Sequence, residues 1–176
     1  MAAEYKTIVS LVRDRPGVLT RIASMFRRRN FNIISLAVGQ SETKGLSRMT
    51  FVVDGDDATI DQVIKQLRKL IDVVSVEPIG DRTMVARELA LIRVTATSAT
   101  RSEITQIAEI FRANVIDVAP DSLIIEVTGD EDKVQSLKSL LESFGVREMI
   151  RTGRVAMERG LALDSRRNGK TTIPQA

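Results

Sequence analysis

The chain is 176 residues long, enough for one ordinary domain or two small ones, and its 43% apolar content is sufficient for a compact core. It has no histidine and no cysteine, which removes together the usual general base near neutral pH, the thiolate nucleophile, the disulfide and the imidazole or thiolate metal site. Most of the formal net charge of +3 comes from Arg166, Arg167 and Lys170 set against Asp164, so the body is nearly balanced, and 3% aromatics leave little with which to stack bases.

The chain opens without the long apolar core of a secretory leader, and no later stretch approaches the roughly 20 apolar residues of a membrane helix. The expectation is a cytoplasmic protein. Residues 7–12 read as a buried strand, interrupted by Asp14-Arg15-Pro16-Gly17. A helix follows, with Val18, Leu19, Ile22, Met25 and Phe26 on one face and Arg21, Arg27 and Arg28 mostly away from it. Residues 33–40 and 48–54 read as a hairpin joined by the polar, glycine-bearing stretch 41–45. The stripe Ile60, Val63, Ile64, Leu67, Leu70 and Ile71 predicts a second helix, opened by Thr59 with Gln62 as a capping box. Residues 73–79 supply a last strand, so residues 4–80 spell β-α-β-β-α-β, the ferredoxin-like arrangement.

The order then repeats over residues 84–160. A strand at 89–97 precedes a helix striped by Ile104, Ile107, Ala108 and Phe111. Strands at 115–118 and 123–127 turn at Pro120-Asp121, and Asp130 opens a helix whose face is Val134, Leu137, Leu141 and Phe144. Residues 146–155 read as one closing strand, and 161–176, without apolar periodicity, as a flexible tail. The expected fold class is α+β, with two tandem ferredoxin-like βαββαβ domains.

Chemistry concentrates at the first strand-to-helix elbow. Pro16 presets the first helical turn, Gly17 permits close backbone approach, and the amides of Gly17, Val18 and Leu19 point outward. A helix N-terminus with free donors suits a carboxylate such as that of an amino acid, though Pro and a nearby Asp also mark an ordinary helix start. Asn32, fifteen residues on, opens the second strand, read as lying beside the first. Its amide can accept from an ammonium and donate to a carboxylate, or it can simply end the helix. Asp14 has two readings: an acceptor for an ammonium, or an acidic residue serving the helix start.

The run from Leu11 to Leu19, then Arg29-Asn30-Phe31-Asn32-Ile33-Ile34-Ser35-Leu36, resembles an ACT domain, an amino-acid-binding regulatory module. Ser47-Arg48-Met49-Thr50, Glu109-Ile110-Phe111-Arg112, Asn114-Val115-Ile116-Asp117-Val118 and Gly153-Arg154-Val155 resemble the small subunits of acetolactate synthase in particular. The resemblance covers about residues 4–160. It implies that the N-terminal domain is an ACT domain and that the chain is a regulatory, non-catalytic subunit forming a homodimer. It further implies a catalytic large subunit as partner, and valine, leucine or isoleucine, valine above all, as a feedback effector at the dimer seam. The effector site it implies is Gly17, Val18, Leu19 and Asn32, with Asp14 beside them. Thiamine diphosphate, magnesium and FAD belong, on the same resemblance, to the catalytic partner, and this chain carries no cofactor, no metal, no nucleic acid and no membrane.

Within the second repeat Asn114 matches Asn32, but the position matching Gly17 is Ala99, and the elbow there has no Pro-Gly pair. No equivalent amino-acid site is expected in it. Asp54-Gly55-Asp56-Asp57 lacks the length and closing glutamate of a calcium loop and reads as a solvated turn. Arg27-Arg28-Arg29 either contacts a partner or complements the negative end of the helix. The rival from another class is an RRM-like RNA-binding protein, disfavoured because its central strand offers a single aromatic, Phe51.

Overall fold

In the computed structural model, which describes residues 5–80 and 83–160, alternation of apolar residues builds two separate antiparallel sheets. Strand β1 (Tyr5–Arg13) sends Ile8 and Val12 to the core face, and β3 (Leu46–Asp54) sends Met49, Phe51 and Val53. Helix α1 (Val18–Arg28) answers with Val18, Ile22, Met25 and Phe26, and α2 (Asp57–Leu67) with Ile60, Val63, Ile64 and Leu67. With β2 (Ile33–Gln40) and β4 (Val73–Ile79) the sheet order is β2-β3-β1-β4. Phe26 stacks on Phe51 with ring centroids 5.5 Å apart, fixing α1 over the centre of the sheet.

The second sheet repeats this plan. It runs β6 (Asn114–Ala119), β7 (Ser122–Gly129), β5 (Met84–Thr95), β8 (Val146–Arg151), with α3 (Arg101–Ile110) and α4 (Glu131–Leu141) supplying Ile104, Ala108, Val134, Leu137 and Leu141 to its own core. The chain divides into two compact units, residues 86–155 forming the second, while the described residues 156–160 group with the first.

Three details depart from the sequence reading. Helix α2 is capped by Asp56, whose side chain accepts from the Thr59 N–H at 2.8 Å, so Thr59 lies inside the helix and does not open it. The helix ends at Leu67, and Ile71 is 81% exposed in the following turn, not on the buried stripe. The closing segment is two strands: Gly153, at φ +81, breaks the run after Arg151, and β9 (Val155–Glu158) turns to pair with β5. The expected tail, residues 161–176, lies outside the described residues.

Candidate effector site

The elbow lies where β1 hands over to α1. Gly17 is the N-cap of α1 in the left-handed region, φ +86 and ψ −7, a conformation that costs a residue with a β-carbon roughly 1–2 kcal/mol. Pro16 occupies the turn before it, outside the helix, so it presets the approach to the helix and not its first turn. Helix α1 has neither a capping side chain nor an acidic residue in its first turn. The Asp14 carboxylate therefore makes no capping hydrogen bond to this helix. Its N–H donates to the Gly45 carbonyl at 2.8 Å, which ties the elbow to the β2–β3 hairpin, and its side chain is exposed.

The amides at this tip are unequally engaged. Val18 N–H reaches the Arg15 carbonyl at 3.4 Å, a long bond, so it is not fully free as the sequence suggested. Arg21 N–H closes the first turn on the Gly17 carbonyl at 3.0 Å. Among the described residues no backbone acceptor meets the amides of Gly17, Leu19 or Thr20. The Val18 side chain is buried in the core, so only its backbone faces the tip, whereas the Leu19 side chain is 47% exposed beside it. The corner thus offers outward donors at the positive end of a helix dipole, an arrangement that favours a carboxylate.

Asn32 is elsewhere in the unit. It is exposed and immediately precedes β2, which is an edge strand separated from β1 by β3. Arg13, at the elbow, pairs with Leu46, while Ile33 pairs with Val53. The seven-residue offset along β3 puts the two at opposite ends of the sheet, roughly 23 Å apart at about 3.3 Å per residue. Within one chain, therefore, Asn32 and the elbow do not form a clamp.

The two edges of this sheet differ. Strand β2, Ile-Ile-Ser-Leu-Ala-Val-Gly-Gln, carries no charge and no proline, and Ile34 and Val38 are exposed on it. Strand β4, the other edge, carries Glu77 and Pro78, residues that discourage pairing with another strand. Arg27 and Arg28 stand in the last turn of α1, where they complement the helix dipole, and Arg29 donates to Gln66 at 3.3 Å. Among the described residues no cluster of three or more acidic side chains is arranged to hold a metal ion, and Asp56 is used as a helix cap.

The elbow of the second unit is closed by its own side chains. Thr97 N–H donates to the Thr100 hydroxyl at 3.0 Å, and Thr100 N–H reaches the Thr97 hydroxyl at 3.3 Å. The Asn114 side-chain amide is occupied too, donating to Glu126 at 3.3 Å. Sequence reasoning missed a further feature of the first corner: Arg21 pairs with the buried carboxylate of Asp72 in the α2–β4 turn. The signal available was an arginine at the start of an amphipathic helix, too common to single out.

Among the described residues no helix is long and apolar enough to cross a membrane. Residues 8–75 match the family described as the AHAS small subunit-like ACT domain, and residues 87–160 match the family described as the small subunit of acetolactate synthase. The chain is 55% identical over 154 residues to a probable acetolactate synthase small subunit of Archaeoglobus fulgidus, covering 88% of this chain and 96% of that one. It is 51% identical over 158 residues to the acetolactate synthase small subunit of Aquifex aeolicus, covering 89% and 82%. The crystal structure of the acetolactate synthase small subunit from Thermotoga maritima superposes with a TM-score of 0.84 at 46% identity, over 89% of this chain and 98% of that one.

Proposed function

The chain belongs to the acetolactate synthase small-subunit family, regulatory subunits of an enzyme whose catalysis resides in a large subunit, and from that premise we propose that it senses a branched-chain amino acid, valine first, at a seam between two copies of its ACT domain. The observation that carries this reading is the open tip of α1: a glycine-capped helix start at which the amides of Gly17, Leu19 and Thr20 meet no backbone acceptor among the described residues, at the one elbow of the two that no threonine pair bridges. The effector's carboxylate takes the amides of Gly17 and Leu19, with Val18 adding its weakly engaged N–H, and Leu19 meets the aliphatic side chain. Asp14 stands at the same corner to receive the ammonium.

The separation of Asn32 from the elbow supports a site made by two chains. If β2 pairs antiparallel with β2 of a second copy, the start of the copy's strand lies beside the end of this one, at Gln40. Gln40 pairs with Ser47 and Ser47 with Val12, so that end is the elbow end of the sheet. Asn32 of the second copy thereby comes to the corner where the first copy's own Asn32 cannot reach. The uncharged β2 edge supports the same pairing.

In this reading the pair binds the catalytic large subunit and favours an active arrangement, and the effector binds the alternative arrangement better, so that inhibition is linkage and no bond is made here. Thiamine diphosphate, magnesium and FAD act in the partner. Calorimetric titration of valine, leucine and isoleucine into the isolated chain and into the complex with its catalytic subunit tests it. Saturable binding with one site per chain, lost in Gly17→Asp, is the expected result; heat from none of the three in either preparation would sink the sensing role.

A further inference from the structure

Asp72, only about 7% exposed, holds the elbow from both sides. Its carbonyl accepts the N–H of Arg13, the last residue of β1, at 2.8 Å, and its carboxylate accepts from the guanidinium of Arg21 at the end of the first turn of α1. Residues 14–17 are thus a short bridge between two points anchored on one residue. The other terminal nitrogen of Arg21, Nη2, lies 4.0 Å from where a β-carbon on Gly17 would stand, so the pair runs directly under the glycine.

The second unit shows which part of this the fold itself requires. There Thr95 N–H donates to the Gly145 carbonyl at 2.9 Å and Ala96 N–H to the Asp121 carbonyl at 3.0 Å, the same two backbone bonds that Arg13 and Asp14 make to Asp72 and Gly45. The ion pair has no counterpart. Gly145 stands where Asp72 stands, and the residue eight past Thr95, as Arg21 is eight past Arg13, is Glu103. The second unit therefore holds the end of its strand to this corner without an ion pair, and the Arg21–Asp72 pair belongs to the unit whose N-cap amide has no backbone acceptor among the described residues.

We propose that Arg21 and Asp72 are positioning residues for the effector: their ion pair holds the amides of α1 at a set distance from the end of β1, so that the seat is ordered before the effector arrives. The inference rests on the effector reading above. A preordered corner spares the ligand the entropy of ordering it, and the carboxylate, once buried, is held to the geometry that keeps it paired. Neither residue needs to touch the effector for this to set its affinity.

The test compares Asp72→Asn, Arg21→Gln, their double variant and Arg21→Lys with Glu88→Gln, which uncouples the other buried carboxylate from its arginine, Arg151, in the second unit. Effector affinity is read by calorimetry and by inhibition of the reconstituted holoenzyme, and elbow order by amide exchange of residues 17–20 in the effector-free chain. Asp72→Asn and Arg21→Gln should each weaken the effector by roughly tenfold, the scale of one partly exposed charge-assisted bond. Both should speed exchange at residues 17–20, the double variant should be no weaker than either single one, and Arg21→Lys should recover part of the loss. Glu88→Gln should lower the melting temperature and leave affinity and elbow exchange as they were. Unchanged affinity in folded Asp72→Asn, or an equal loss in Glu88→Gln, would overturn the proposal. If Asp72→Asn does not fold, Arg21→Gln, altering a half-exposed side chain, decides alone. If the wild type binds no branched-chain amino acid the effector reading fails on its own account, and exchange at residues 17–20 still decides: no change on breaking the pair refutes the positioning role.

Discussion

The corner at residues 14–17 and the corner at residues 96–100 sit at the same place in two copies of one topology, yet they hold the turn before the helix differently. In the second unit two threonine hydroxyls reciprocate with two backbone amides, the next N–H, that of Arg101, donates to the Thr97 carbonyl at 3.0 Å, and Glu103 stands in the first turn. In the first unit a left-handed glycine stands before a helix with no capping side chain and no acidic residue in its first turn, and in both helices the second and third amides, those of Leu19 and Thr20 and those of Ser102 and Glu103, meet no backbone acceptor among the described residues. Helix ends leave donors that something must satisfy, and the turn of the second unit supplies acceptors for those of Thr100 and Arg101. Leaving them open is a cost in folding that becomes a binding free energy once an anion arrives. The comparison therefore places the difference between the corners at the N-cap amide, which has no backbone acceptor at Gly17 and is bonded at Thr100.

Gly17→Asp is the sharpest way to break the contrast. The position has room, since a β-carbon there would meet nothing nearer than 4.0 Å, so the strain is that of the positive φ alone. The new carboxylate would occupy the seat and repel an incoming one, a juxtaposition worth several kcal/mol, or roughly two orders of magnitude in affinity. Valine inhibition of the holoenzyme should disappear while uninhibited activity persists. The matching change Ala99→Asp in the second unit should leave inhibition intact; loss of inhibition there would erase the distinction between the corners.

The edges offer the next test. Strand β2 is uncharged along its whole length, whereas its counterpart β6 carries Asp117. Val38→Lys puts a charge on the exposed part of β2, the device natural edges use against pairing. Sedimentation should show a shift from dimer toward monomer, and effector affinity should fall with it, because the proposed seat needs Asn32 of a second copy. A monomer that binds valine undiminished would refute the two-chain seat. Helix caps give a smaller effect. Asp56→Ala and Asp130→Ala should each lower the denaturant midpoint of unfolding, because each carboxylate accepts a first-turn N–H. Thr100→Ala should lower it by a comparable amount and leave effector binding alone.

Periodicity alone makes most of the fold legible. Ile8, Val12, Ile22, Met25, Phe26 and Phe51 all fall in one core because strand alternation and helical stripes are local patterns that burial enforces. What is not legible lies in pairings across the chain. Thr59 resembles a cap because it has a glutamine three residues on, but Asp56 stands three residues earlier and its carboxylate reaches the Thr59 amide. The break at Gly153 is hidden in a run of mixed apolar and charged residues whose glycine adopts φ +81. At the site, Gly17 can be singled out because a Pro-Gly pair is a local signal. The distance between Asn32 and the elbow cannot, because strand order, with β3 between β2 and β1, is a property of the folded sheet.

The smallest effect concerns how each unit fastens its hairpin. In the first, Gly45 contributes only a carbonyl, to Asp14. In the second, Arg147 donates to the Asp121 carboxylate at 2.8 Å, to its carbonyl at 3.0 Å and to the Thr95 hydroxyl at 2.9 Å. The hydrogen bond from Arg147, then its charge, hold the Asp121 carboxyl below the ordinary aspartate value. A carboxyl depressed in the folded state stabilises above its unfolded value and loses that contribution as pH falls through the folded one. The group is fully exposed, so the measurable consequence is its own titration: in Arg147→Met, the carboxyl resonance of Asp121 should titrate at a higher pH than in the wild type. A midpoint that stays put would mean that Arg147 acts through the Thr95 hydroxyl and the Asp121 carbonyl, and the hairpin of the second unit would then be fastened by uncharged acceptors, as that of the first already is.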